Sequence, residues 1–213
     1  MKNFKLDVYL VTDRELAKDR RLDWVVEEAL KGGADIVQLR EKNMKTAHFL
    51  EEAKRIKAIT DHYGKTLLIN DRIDVALAAA ADGVHIGQSD MPCQDARRLL
   101  GPDAIIGVSI ESYHQAREAN DFDVDYIAIS PVFRTPTKEE LTKELGIEGV
   151  QKITNISRHP VVGIGSIKAH NAGDVIKAGA DGVAVVSGIC SAENPQAAAL
   201  ELKQKVEEAK RNW

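Results

Sequence analysis

Two aspartates, Asp71 and Asp90, each follow a short apolar run, Leu67-Leu68-Ile69 and Gly83-Val84-His85-Ile86. Carboxylates at the ends of neighbouring strands can share a hard cation. Mg²⁺ takes one or two carboxylates, water and phosphate oxygens, so the pair suits a metal-bound phosphate ligand. The competing reading is helix capping, with Asp71 before a helix starting near Ile73 and Asp90 before one starting near Pro92. Cations follow two other runs. Arg40 and Lys42 come after Ile36-Val37-Gln38-Leu39, and Lys138 after Tyr126-Ile127-Ala128-Ile129. A diphosphate needs such charge, and arginine can hold it bidentately. Any one lysine of this kind is otherwise a solvated loop charge. Gly163-Ile164-Gly165-Ser166-Ile167 and Val185-Val186-Ser187-Gly188 each close an apolar run and lead into a helical stretch, where backbone N–H groups can receive a phosphate.

These residues need elements to converge them. Eight short runs rich in β-branched residues recur along the chain; the remaining four are Val8-Tyr9-Leu10-Val11, Ile105-Ile106-Gly107-Val108, Val161-Val162-Gly163-Ile164 and Gly182 to Val186. Continuous apolar runs suit strands buried on both faces of a parallel sheet. Helical patterns lie between them. Trp24, Val25, Ala29 and Leu30 form one stripe; Phe49, Leu50, Ala53, Ile56 and Ile59 form another; Leu200, Leu202 and Val206 form a third. Pro92, Pro160 and Pro195 fall at element starts, where proline is tolerated. Eight strand-helix units predict a single (β/α)8 barrel over residues 1–213, in preference to an open doubly wound sheet. Active sites of such barrels lie at the C-terminal ends of the strands, where all the polar segments named above fall. An aspartate also opens the second, fourth, sixth and eighth runs, at Asp35, Asp82, Asp125 and Asp181. This repeat supports the fold and carries no functional argument.

Composition narrows the partners. The 213 residues carry 29 Lys+Arg against 33 Asp+Glu, a net charge of −4. A general nucleic-acid or anionic-membrane binder would carry a basic face, so small molecules are the expected partners. Two cysteines, Cys93 and Cys190, have no metal spacing and suit a reduced, cytoplasmic protein. No apolar run is long enough for a signal peptide or membrane span. The six histidines lack metal-ligand spacing, and His85 sits inside a strand as a satisfied interior residue. There is no Gly-x-Ser-x-Gly elbow, P-loop or dinucleotide fingerprint. The sequence allows a homo-oligomer without specifying one.

Taken in order, the strand-end segments resemble thiamine phosphate synthases. They are Thr12-Asp13, Gln38-Leu39-Arg40-Glu41-Lys42, Asn70-Asp71-Arg72, His85-Ile86-Gly87-Gln88-Ser89-Asp90, Ser109, and Arg134-Thr135-Pro136-Thr137-Lys138. The resemblance spans essentially the whole chain. It implies a (β/α)8 transferase that joins 4-amino-5-hydroxymethyl-2-methylpyrimidine diphosphate to a thiazole phosphate and releases diphosphate. By the same resemblance, Gln38, Leu39, Arg40, Glu41, Lys42, Asn70, Ser109 and Lys138 bind the pyrimidine diphosphate, with Arg40, Ser109 and Lys138 as the catalytic set. Asp71 and Asp90 hold Mg²⁺. Thr135, Pro136, Thr137, Ser166, Val186 and Ser187 bind the thiazole phosphate. Departures from the family pattern are Ser166 in place of a second glycine, Ser130 before Pro131, and Glu139-Glu140 after Lys138. A serine where φ is positive costs about 1 kcal/mol, though its hydroxyl can add a phosphate hydrogen bond. The charged stretch Thr135 to Lys143 is a lid candidate. A thiazole tautomerase on the same barrel, or a non-catalytic phosphate-binding barrel, would not require the paired aspartates, the Asn-Asp-Arg segment and Lys138 together.

Overall fold

The computed structural model describes residues 4–134 and 143–211. Its eight strands are β1 (Val8–Val11), β2 (Ile36–Leu39), β3 (Thr66–Asn70), β4 (Gly83–Ile86), β5 (Ile105–Ile110), β6 (Tyr126–Ile129), β7 (Val161–Ile164) and β8 (Gly182–Val185). Every neighbouring pair is parallel, and β8 returns to β1 to close the barrel. All eight apolar runs of the sequence are therefore strands. Between them lie α1 (Arg14–Ala17), α2 (Leu22–Lys31), α3 (Thr46–His62), α4 (Ile73–Ala78), α5 (Cys93–Leu100), α6 (Tyr113–Ala119), α7 (Gly146–Thr154) and α8 (Ala169–Lys177). The short α9 (Ser187–Cys190) and the long α10 (Pro195–Arg211) follow β8. No described helix is long and apolar enough to cross a membrane.

Strand alternation produces two separate cores. One set of side chains, including Leu10, Val37, Leu67, Ile106 and Ile127, faces outward against the helices. The other, including Tyr9, Ile36, Leu68, Tyr126 and Val162, fills the barrel. Two helical stripes need correction. Trp24 is 40% exposed, and α2 instead buries Leu22, Val25, Val26, Ala29 and Leu30. Leu200 is 48% exposed, because the buried line of α10 runs through Ala199, Leu202, Val206 and Ala209. At 3.6 residues per turn, Leu200 stands about 100° away from Ala199.

The aspartate repeat has a structural cause at the barrel floor, the N-terminal end of the strands. Asp82 accepts from Leu67 N and donates its own N–H to Leu67 O, at 2.7 and 2.9 Å. Asp125 clasps Ile106 in the same two ways, and Asp181 clasps Val161. Each even strand is thus tied to the odd strand before it. Asp35 keeps only the backbone half, to Val8 O; its carboxylate turns to Lys65 and Lys203, both at 2.7 Å.

Candidate active site

The residues at the opposite end of the strands form the mouth. Gln38 on β2, Asn70 on β3, His85 on β4 and Ser109 on β5 alternate with outward-facing neighbours, so their side chains share the inner face. Gln38 Nε2 donates to Tyr9 Oη at 2.6 Å. Ser109 Oγ lies 2.8 Å from His85 Nε2. Leu39 faces the other way and is wholly buried in the outer core, so its side chain lies outside the mouth.

Neither aspartate caps a helix. The residue before α4 is Arg72 and the residue before α5 is Pro92, and neither helix has a side-chain cap. Asp71 instead adopts a left-handed φ of 61°, its N–H held by His85 O at 2.9 Å. Asn70 Nδ2 donates to Asp71 Oδ2 at 2.6 Å. Asp90 curls back so that Gly87 N donates to its Oδ2 at 2.7 Å. A side chain at position 87 would crowd that oxygen, since a Cβ there would stand 3.0 Å from it. The two carboxyls are close enough to act on one another electrostatically. Burial and the facing Asp90 push the Asp71 carboxyl up to about 7, against the pull of Asn70 and Arg40. Two like charges held together in this way make a site that a divalent cation would relieve. Among the described residues no group of three or more His, Cys, Asp or Glu side chains could hold a metal. A two-carboxylate set fits Mg²⁺, which completes its shell with water and phosphate oxygens.

Arg40 borders the pair. Its N–H donates to the buried Thr12 Oγ1 at 3.0 Å, and its guanidinium stands 3.9 Å from Asp13. Glu41 is committed elsewhere: Arg14 binds it at 2.8 Å and binds Glu52 at the same distance. Lys42 is exposed at the rim. Thr135, Pro136, Thr137 and Lys138 lie outside the described residues, as does most of the 135–143 stretch.

The β7 and β8 loops complete the rim. The β6–β7 pairing continues beyond the strands, with Val132 N to Ile164 O at 2.8 Å and Phe133 N to Gly165 O at 3.3 Å. Gly165 has φ of 113°, and a Cβ there would meet Pro131 Cβ at 2.7 Å, so only glycine fits. Ser166 follows with φ of 49°, the strained value expected of the position. Its hydroxyl donates to Arg134 O at 2.7 Å and so adds a third rung between the two loops. Val186 packs partly against the inner core, and Ser187 begins α9.

Residues 8–189 match the family model for thiamine monophosphate synthase. The chain belongs to that family. It is 48% identical over 209 residues to the thiamine-phosphate synthase of Leptospira biflexa, covering 96% of this chain and all of that one. It is 50% identical over 193 residues to the enzyme of the same name from Clostridium acetobutylicum, covering 91% of each. Among solved structures, thiamine phosphate pyrophosphorylase from Pyrococcus furiosus superposes with a TM-score of 0.89 at 40% identity, over 96% of each chain. A 3-hexulose-6-phosphate synthase at 17% identity and a TM-score of 0.67 shares the fold alone. The chain is a transferase-family member, and the family and barrel expected from its strand-end segments stand. Sequence reasoning did not pick out Tyr9 and Tyr126. They read as ordinary strand aromatics, and only barrel closure brings their hydroxyls together at 2.8 Å.

Proposed function

We propose that residues 1–213 act as one catalytic domain. It transfers the pyrimidine-methyl group of 4-amino-5-hydroxymethyl-2-methylpyrimidine diphosphate to 4-methyl-5-(2-phosphooxyethyl)thiazole or its carboxylated form. The observation that carries this reading is the Asp71–Asp90 pair, facing each other beside Arg40 at adjacent strand tips. Mg²⁺ bound by that pair would neutralise diphosphate oxygens. Arg40 and Lys138 add cationic contacts to the same leaving group, and Gln38, Asn70 and Ser109 orient the ring. The methylene C–O bond breaks, and its electron pair leaves with the diphosphate. The electron-rich aminopyrimidine spreads the resulting positive charge. The thiazole nitrogen, held in line by its phosphate in the β6, β7 and β8 loops, then supplies the pair for the new C–N bond. No general acid or base is required, consistent with His85 being occupied inside the barrel.

The substrates are small molecules, with no nucleic acid or membrane involved, and the protein acts in the cytoplasm. The two buried cysteines, both free, suit that reducing setting. The test supplies both substrates with Mg²⁺ or with EDTA. Thiamine phosphate should form only with Mg²⁺. Turnover that survives EDTA removes the metal role, and no product in either arm removes the reading.

A further inference from the structure

A continuous chain of hydrogen bonds crosses the barrel interior from one rim residue to another. Gln38 Nε2 meets Tyr9 Oη at 2.6 Å, and Tyr9 Oη meets Tyr126 Oη at 2.8 Å. Tyr126 Oη meets His85 Nδ1 at 2.8 Å, and His85 Nε2 meets Ser109 Oγ at 2.8 Å. Both tyrosines are at most 1% exposed. Space is reserved for the central phenol, because a Cβ on Gly107 would stand 2.0 Å from Tyr126 Cζ. The imidazole stacks on the Tyr126 ring at 5.6 Å and the Tyr9 ring meets it edge-on at 6.0 Å, so neither can swing away.

Each phenol has one proton, and a neutral imidazole has one N–H. A chain of such groups can run in only two self-consistent senses. With Gln38 Nε2 donating, the Tyr9 proton goes to Tyr126, the Tyr126 proton to His85 Nδ1, and the imidazole N–H at Nε2 to Ser109 Oγ. Gln38 then offers its carbonyl oxygen to a ligand and Ser109 its hydroxyl proton. In the reverse sense Gln38 offers N–H and Ser109 a lone pair. Burial raises both phenol pKa values, so the tyrosines keep the protons that the chain needs.

We propose that Tyr9, Tyr126 and His85 are positioning residues that commit Gln38 and Ser109 jointly to one hydrogen-bonding sense, selecting a heterocycle with an amino group for Gln38 and an acceptor for Ser109. This rests on the pyrimidine diphosphate reading above and assigns how the site tells an aminopyrimidine from an oxopyrimidine. A carbonyl in place of the amino group would face the Gln38 oxygen, and the amide can rotate only if Tyr9, Tyr126 and His85 all reverse their protons, which turns Ser109 into an acceptor facing the ring's own acceptor. A site built to pair a buried polar group rejects the mismatched analogue strongly.

The experiment compares kcat/KM for the 4-amino substrate and its 4-oxo analogue in the wild type and in Tyr126→Phe. The wild type should prefer the amino compound by at least about 100-fold. Tyr126→Phe frees Tyr9 to donate to a rotated Gln38 amide, so the preference should fall by about tenfold or more. A purely structural Tyr126 would shift Tm and leave the ratio alone; a folded variant with an unchanged ratio overturns the proposal. A second measurement uses the wild type only. The ¹⁵N shifts of His85 should report a neutral ring protonated at Nε2, and protonation at Nδ1 or at both nitrogens overturns the proposal whether or not the variant folds. A wild type that makes no thiamine phosphate would instead overturn the underlying reading.

Discussion

The two ends of the barrel use aspartate in opposite ways. At the floor every repeated aspartate has a partner. Asp82, Asp125 and Asp181 accept strand N–H groups, and Asp35 and Asp7 share Lys203, at 2.7 Å each. Burial pushes the Asp7 carboxyl up, but Lys203 and Lys210 outweigh it and hold it below the usual range. At the mouth, burial and a like neighbour act together, and Asp71 is raised to about 7. The floor carboxylates stabilise the fold through these bonds. The mouth pair destabilises it as anions until a cation arrives. Functional sites store this kind of unfavourable electrostatics, and the rest of the fold must offset it.

The comparison can be broken most easily at the mouth. Asp71→Ala should lower kcat by at least about tenfold, equivalent to about 1.4 kcal/mol, and Lys138→Ala should do the same. Asp74, paired with Arg72 at 2.6 Å and well exposed, serves as the control, and its loss should leave kcat near the wild-type value. Near-normal rates in the first two variants would sink the site assignment. The same Asp71→Ala protein should be more stable than the wild type in EDTA. The raised carboxyl favours the folded state fully below its unfolded value near 4, and that advantage is lost as pH climbs through about 7. Melting at pH values on either side of that window should therefore show the variant's advantage growing toward high pH.

The floor should respond in the opposite manner. Asp181→Ala leaves Val161 N–H without its acceptor and should cost about 1–2 kcal/mol in denaturant melts with kcat unchanged. A matching loss of kcat would show that the two ends are not separable. A smaller effect is expected at Asp7. Its depressed carboxyl contributes stability above pH of about 4 that disappears as pH falls through the lowered native value. Asp7→Asn should flatten the acid limb of stability; an unaltered limb would assign it to other carboxylates.

Ser166 sharpens the mouth side with the smallest change. Ser166→Gly removes the φ strain and the Arg134 rung together, so its stability should stay within about 0.5 kcal/mol of wild type. Ser166→Ala keeps the strain, loses the rung, and should be less stable by about 1 kcal/mol. Equal stabilities for the two variants would mean that the hydroxyl contributes nothing between the loops.

Much of this was legible along the chain. Runs such as Ile36-Val37-Gln38-Leu39 and Tyr126-Ile127-Ala128-Ile129 announce strands because a parallel barrel buries both faces. The polar segments after them marked the mouth, and their order carried the family. Local periodicity was weaker where one residue turns a helix face, as at Trp24 and Leu200. The caps foreseen for Asp71 and Asp90 also failed. Cap propensity is a short-range preference, whereas the Asp71 backbone N–H is held by His85 on β4 and the Asp90 carboxyl by Gly87 in the loop after β4.

By itself, the chain determined the number of strands, their direction, and which end holds the polar chemistry, because burial pattern and residue order are local properties. Only the closed barrel decided that Asp71 faces Asp90, that Asp82, Asp125 and Asp181 clasp the strand before them, and that Tyr9, Tyr126 and His85 join Gln38 to Ser109. Tyr9 and Tyr126 are separated by 117 positions, and their contact exists only once β8 has closed against β1.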